Sequence, residues 1–86
     1  MRASHILVSS LLEAQNIAAK AGPANFAQLA LEHSSCPSKA NGGDLGDFGP
    51  GMMVRPFEDA TVELKIGQIS QPVQTQFGYH LIHRTG

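Results

Sequence analysis

The chain has 86 residues, of which 42% are hydrophobic and 15% charged, with a formal net charge of −1 at neutral pH. This length supports one folded domain with a modest core, and the composition is too apolar for intrinsic disorder. The near-neutral charge gives no reason to expect a nucleic acid as a partner, and the longest apolar runs are far too short to span a bilayer. We therefore expect a single domain over residues 1–86 without membrane insertion. We also expect it to be a monomer.

The first segments in chain order predict a strand followed by two helices. Alternating side chains over residues 3–8 indicate a strand that places His5 and Leu7 on one face. Ser10 with Glu13 forms a capping-box pattern, which predicts a helix from there to about residue 21. Asn25 repeats the N-cap pattern and predicts a second helix to about residue 33.

The second half of the chain predicts a loop, a third helix and a strand pair. Residues 34–51 are rich in glycine and contain one candidate strand, at residues 44–48. Pro56 suits the first turn of a helix, which we expect to end near residue 64. Residues 69–73 and 78–84 are predicted strands, joined by a hairpin-like turn at residues 74–78. Because the strands do not alternate regularly with helices, an α+β fold with an antiparallel sheet fits best.

Two histidines lie on the strands at the two ends of the chain. If these strands pair in the centre of the sheet, His5 and His80 can meet on one face, and Cys36 could close over that face. The simplest interpretation is a pair of buried histidines satisfied by hydroxyl or carbonyl groups. We expect His33 and His83 to be solvated. Phe48, Phe57 and Met53 would by default be core residues.

Two chemical interpretations compete with a purely structural one. Zinc accepts thiolate and imidazole, so His5, Cys36 and His80 could bind a metal, but no recognised ligand spacing is present. Cys36 paired with a histidine could be a nucleophile, but the sequence shows no hydrolase signature. The single cysteine cannot form an intramolecular disulfide and leaves the redox compartment open, and without a secretory signal the cytoplasm is the default expectation. A domain excised from a secreted protein would look the same.

Three segments, read together, resemble one known family. They are SHILV near the start, CPSKANGGDLGDFGPGMMVRPFEDA in the middle and QTQFGYHLIHR at the end. In this order they resemble the parvulin family of peptidyl-prolyl cis/trans isomerases over essentially the whole chain. The resemblance implies an α+β fold of the FKBP-like kind, with a four-stranded antiparallel sheet surrounded by about four helices. It implies no cofactor and no metal.

The resemblance also assigns candidate site residues. It implies that His5 and His80 are the paired family histidines, that Cys36 occupies the catalytic-loop position, and that Thr75 hydrogen-bonds into the pair. The residues that it places around the substrate are Leu45, Met53 and Phe57 in the proline pocket, and Ser38 and Phe77 nearby.

The function implied by the resemblance is rotation about X–Pro bonds in peptides and unfolded proteins. The proline would be held in an apolar pocket that favours the twisted amide, without a covalent intermediate. No Lys or Arg lies between the first strand and the first helix, so we expect no dependence on a phosphate in the substrate. The alternative is a chaperone module that binds proline-containing segments without catalysing their isomerisation.

Overall fold

A single sheet of four antiparallel strands organises the protein, whose computed structural model describes all residues 1–86. Its elements, in chain order, are β1 (Arg2–Val8), α1 (Leu11–Ala18), α2 (Phe26–His33), a 3-10 helix (Pro37–Asn41), β2 (Asp44–Asp47), α3 (Arg55–Glu63), β3 (Val73–Thr75) and β4 (Gly78–Arg84). The strand order is β2-β1-β4-β3. The predicted α+β class and four-stranded antiparallel sheet are confirmed, and the helices are three α-helices and one 3-10 helix.

The two terminal strands of the chain form the centre of the sheet. β1 and β4 pair continuously from Ala3 opposite Arg84 to Val8 opposite Tyr79. In this register His5 lies opposite Ile82, and His80 lies opposite Leu7. Opposed residues of an antiparallel pair share a face, so both histidines project from the same side of the sheet, as the alternation predicts.

Helices α1 and α2 cover the other face of the sheet. The buried side chains of this core are Ile6, Val8, Ala14, Ile17, Phe26, Leu29, Ala30 and Leu81. Ser10 begins α1 as predicted, because its Oγ accepts a hydrogen bond of 3.1 Å from the N–H of Glu13. His83 lies against this core with its ring 5.4 Å from that of Phe26, so it is only partly solvated.

Helix α3 covers the face that carries the histidines. Ala3, Phe48, Phe57 and Ile82 form a smaller buried cluster there. Phe48 is anchored beside the N-terminus, because its N–H donates to the carbonyl of Met1 at 2.8 Å. This smaller core leaves part of the face uncovered next to the histidines, and that space forms the cleft described below.

The predicted strand at residues 69–73 is wrong in its position. β3 begins only at Val73, and Ile69 makes a single bridge to His83. Pro72 has no N–H to donate to a strand ladder, so regular pairing cannot pass through it. Ser70 still holds the segment against β4, since its N–H donates to Ile82 and its Oγ accepts from Ile82.

Asn25 precedes α2 but does not cap it with its side chain. Its Oδ1 accepts from the N–H of Gly22 at 2.6 Å, and its Nδ2 donates to the carbonyl of Lys20 at 2.8 Å. Asn25 therefore stabilises the turn between α1 and α2. α1 itself ends at Ala18, earlier than predicted, in turn-type hydrogen bonds such as that from Lys20 N–H to the carbonyl of Ile17.

The two ends of the chain lie side by side. The N–H of Arg2 donates to the carbonyl of Gly86 at 3.1 Å, and the carbonyl of Arg2 accepts from Thr85 and Gly86. The terminal residues thus continue the pairing of the central strands.

None of the helices reaches the length and hydrophobicity needed to cross a membrane.

Candidate active site

The two histidines on the central strands are in direct contact. His5 Nδ1 lies 2.9 Å from His80 Nδ1, and the rings stack with centroids 5.1 Å apart. Phe57 of α3 meets both rings edge-on, with centroids at 5.6 Å from His5 and 5.3 Å from His80. Both imidazoles are therefore buried in an aromatic environment that fixes their orientation.

Two hydroxyl groups extend the histidine pair into a row of four side chains. Ser38 Oγ, in the 3-10 helix, lies 3.2 Å from His5 Nε2. Thr75 Oγ1, at the end of β3, lies 2.7 Å from His80 Nε2. A hydrogen bond between two Nδ1 atoms needs one donor and one acceptor, so the two neutral rings must be opposite tautomers. Either direction leaves all three hydrogen bonds satisfied.

The surroundings of the pair favour its neutral form. Burial lowers the pKa of His5 to about 4, and the nearby His80 adds to this effect. Burial also lowers the pKa of His80. At neutral pH both rings are therefore uncharged, and this state is compatible with one proton between the Nδ1 atoms.

An apolar cleft of about 410 Å³ opens beside the histidines. This volume is within the usual range for small-ligand sites, roughly 300–1,000 Å³. The lining residues are His5, Leu7, Cys36, Leu45, Met52, Met53, Val54, Phe57, Phe77 and His80. No Lys, Arg, Asp or Glu is among them, so the cleft suits an uncharged and largely apolar group.

The three residues predicted to line a proline pocket come from three different parts of the chain. Leu45 is in β2, Met53 precedes α3 and Phe57 is in its first half, and all three line the cleft. Phe77 lines it too, from the turn between β3 and β4, with its side chain 61% exposed. Ser38 does not line the cleft and contacts His5 instead.

Cys36 lines the cleft without a hydrogen bond from its thiol. Its side chain is half-buried, and the hydroxyl that bonds His5 belongs to Ser38. The thiol of Cys36 is therefore not hydrogen-bonded to either histidine in this structure. No group of three or more His, Cys, Asp or Glu side chains is arranged to hold a metal ion.

Sequence reasoning missed three lining residues, namely Leu7, Met52 and Val54. The signal for Leu7 was available, because strand alternation places it on the face of His5. Met52 and Val54 flank Met53 in a segment without regular structure, where no periodicity indicates which side chains turn inward.

Gly43 fixes the loop against β1. Its φ of +83° lies in the left-handed region, its N–H donates to the carbonyl of Ser38 and its carbonyl accepts from the N–H of His5, each at 2.9 Å. A Cβ at this position would clash with the carbonyl oxygen of His5. Only glycine allows the loop to approach so closely, and this approach places Ser38 at the histidine pair.

Comparison with known proteins agrees with this geometry. The family model for the rotamase, PPIC-type PPIase domain matches residues 5–86. Foldase protein PrsA of a Geobacillus species is 53% identical over 87 residues, which cover 99% of this chain and 32% of the relative. The chain thus spans about a third of the length of the PrsA relatives.

Solved structures give the same result. The PrsA peptidylprolyl isomerase from Bacillus anthracis superimposes with a TM-score of 0.96 at 51% identity, covering 100% of this chain and 41% of that one. Pin from the psychrophilic archaeon Cenarchaeum symbiosum superimposes with a TM-score of 0.85 at 46% identity, covering 100% and 91% of the two chains.

These matches, with the sheet and the paired histidines, define the class of the protein. The chain belongs to the PPIC-type peptidyl-prolyl isomerase family, the parvulins. It is a peptidyl-prolyl cis/trans isomerase domain.

Proposed function

We propose that the apolar cleft binds the proline of an X–Pro segment and that the buried histidine pair and Cys36 border the bond that rotates. The observation that carries this proposal is the absence of charged side chains around a cleft in which neutral imidazoles meet Leu45, Met53 and Phe57. The substrates that we propose are proline-containing peptides and segments of unfolded proteins. That several relatives are named foldase proteins supports this choice.

Catalysis by this site requires no covalent chemistry. An X–Pro bond has only a weak preference for trans but rotates slowly, because rotation breaks the amide resonance. Shortening turnover from about a hundred seconds to milliseconds needs on the order of 7 kcal/mol of preferential stabilisation of the twisted amide. An apolar site that holds the ring and removes water from the amide favours the twisted state, in which resonance and charge separation are reduced.

Cys36 is proposed to border the substrate carbonyl rather than to attack it. A thiol nucleophile needs a base within hydrogen-bond reach, and neither imidazole is bonded to Cys36. The Nε2 atoms of the two histidines are engaged by Ser38 and Thr75, which supports a role of the pair in fixing the polar wall of the cleft.

Independence from phosphate is proposed from the distribution of cations. Lys39 and Arg55 are exposed and do not line the cleft, and Arg55 is paired with Asp59 of the same helix. Ser9 and Ser10 connect β1 to α1 without a basic side chain. A phosphate is usually bound by an arginine cluster, and none borders this cleft.

Exchange NMR on matched peptides tests substrate choice. We expect the chain to accelerate cis/trans exchange of a Leu-Pro peptide at least as well as that of a phosphoserine-Pro peptide of otherwise identical sequence. The same measurement without protein gives the uncatalysed rate. A large advantage for the phosphopeptide would contradict phosphate independence.

Peptide binding and cis/trans exchange, measured on the wild type and on two single variants, distinguish catalysis from mere binding. Met53→Ala removes part of the ring pocket, and we expect peptide affinity to fall about tenfold or more. For Cys36→Ala we expect exchange to continue at a reduced rate, because no covalent step is lost. An inactive wild type that still binds peptide would instead support the chaperone module. Complete loss of exchange in Cys36→Ala with unchanged peptide binding would support the hypothesis that Cys36 is a nucleophile.

A further inference from the structure

The segment Gly49–Val54 forms one wall of the cleft without regular secondary structure. It carries three lining residues, Met52, Met53 and Val54. Gly49 and Gly51 precede them, and glycine leaves the backbone little intrinsic preference for one conformation at these two positions, while Pro50 between them fixes its own φ. Something outside the segment must therefore hold this wall in place.

Glu58 of α3 provides both hydrogen bonds that join Gly49–Val54 to the rest of the chain. Its backbone N–H donates to the carbonyl of Val54 at 3.1 Å, as the first turn of α3 requires. Its side chain reaches back, so that Oε1 accepts from the N–H of Gly51 at 2.7 Å. The other bonds of the segment are internal: Met52 N–H to the carbonyl of Gly49, and Gly49 N–H to Met52 Sδ.

The bond from Gly51 to Glu58 has the properties of a strong anchor. A carboxylate that accepts from a backbone N–H forms a charge-assisted hydrogen bond, roughly twice as strong as a neutral one. Glu58 is also the neighbour of Phe57, which lines the same cleft and contacts both histidines. One residue thus links the Gly49–Val54 wall to the helix that carries Phe57.

We propose that Glu58 is a positioning residue that sets the affinity of the cleft for proline-containing peptides. Its carboxylate holds Gly51 so that Met52, Met53 and Val54 face the cleft before the substrate arrives. Without it, the segment has to be ordered at the moment of binding, and that entropy cost weakens binding. This role rests on the proposed function of the cleft.

The test compares three variants of the chain. Glu58→Ala removes the anchor, whereas Glu58→Gln keeps an oxygen that can accept from Gly51. Asp59→Ala is the matched control, because Asp59 is the next acidic residue at the start of α3 and its carboxylate contacts only Arg55. Both alanine variants lose one negative charge near the positive end of the helix, so this general effect cancels.

We expect Glu58→Ala to weaken binding of a Leu-Pro peptide about threefold to tenfold, with a maximal exchange rate changed less than about twofold. In the same variant the Gly51 amide should lose hydrogen-exchange protection and shift upfield. Glu58→Gln should recover most of the affinity, and Asp59→Ala should match the wild type. Equal affinities of Glu58→Ala and Asp59→Ala, or a Gly51 amide that is unchanged in Glu58→Ala, would overturn the proposal.

The failure of this inference and that of the proposed function give different results. If the wild type bound peptide without catalysing exchange, catalysis would be refuted, yet the binding constants and the Gly51 amide would still test Glu58. If exchange were catalysed and Glu58→Ala bound as tightly as the wild type, only the role of Glu58 would be lost.

Discussion

The histidine pair has an unusual combination of contacts at the scale of single residues. Each ring uses both nitrogen atoms, one toward the other ring and one toward Ser38 or Thr75. Protonating the ring that donates from Nδ1 adds an N–H only at its Nε2, whereas protonating the other ring places a second N–H between the two Nδ1 atoms. Burial opposes protonation of either ring, and the contact between the Nδ1 atoms opposes it at the accepting ring.

The lowered pKa of His5 predicts how the free energy of unfolding depends on pH. The pKa of His5 is about 4 in the folded protein and about 6.5 in the unfolded chain. Between these values the unfolded chain binds more protons, so the free energy of unfolding falls as the pH falls through this window. The contribution of neutral His5 to the free energy of unfolding is fully present above about pH 6.5. It falls by on the order of 3 kcal/mol by about pH 4. Urea unfolding at several pH values measures it.

Histidine NMR separates this effect from that of the carboxylates. The His5 ring resonances should remain those of a neutral imidazole down to about pH 4. The hydrogen bond from Arg2 is the chief cause of the lowered pKa of Asp44. The contribution of the Asp44 carboxylate to the stability of the fold is therefore lost only as the pH falls below the ordinary aspartate range. A His5 titration midpoint near 6.5 would refute the prediction.

At the scale of elements, the sequence is most informative where side-chain pattern and pairing coincide. Alternation in β1 and β4 predicted that His5 and His80 share a face, and Ser10 correctly began α1. Prediction was wrong at residues 69–73, where apolar side chains suggested a strand but Pro72 displaces the pairing to Val73–Thr75. Local pattern also could not show that Ser38 rather than Cys36 contacts His5, because that contact depends on how the loop folds back over β1.

The close approach of the loop to β1 depends on Gly43. Adding one methyl group at this position should therefore have a large effect on the stability of the fold. Gly43→Ala should destabilise the fold by about 3 kcal/mol or more, because the left-handed φ and the clash with His5 act together. Gly46→Ala is the matched control, since Gly46 has a φ of +73° but open space at the Cβ position. We expect about 1–2 kcal/mol there. Equal losses in chemical denaturation would contradict the steric argument.

At the scale of the whole molecule, the sheet separates stability from binding. The larger buried cluster lies under α1 and α2, whereas the cleft opens on the face of α3. A domain of this size is stable by only about 4–13 kcal/mol, so truncating one buried side chain of the larger core removes a substantial share of the folding free energy. Residues that hold the fold together are thus largely different from those that meet the ligand.

The separation of the larger core from the cleft predicts that Ile17→Ala and Met53→Ala have opposite effects on stability and on peptide affinity. Ile17→Ala, under α1, should lower the free energy of unfolding by about 2–5 kcal/mol and leave peptide affinity unchanged while the variant is folded. Met53→Ala should do the reverse, with a small loss of stability and a large loss of affinity. Denaturation curves and peptide titrations on both variants check this, and a marked affinity loss in Ile17→Ala would argue for coupling across the sheet.

The hydrogen bonds between Arg2 and Gly86 have a consequence for folding kinetics. His5 and His80 are 75 residues apart in sequence, so the central strand pair closes nearly the longest loop available in the chain. If a short glycine linker joined Gly86 to Met1 and new ends were opened at the exposed Pro23–Ala24, β4 and β1 would become a local hairpin. This circular permutant has a lower contact order, so we expect it to keep the same sheet and to fold faster than the natural chain order in stopped-flow experiments.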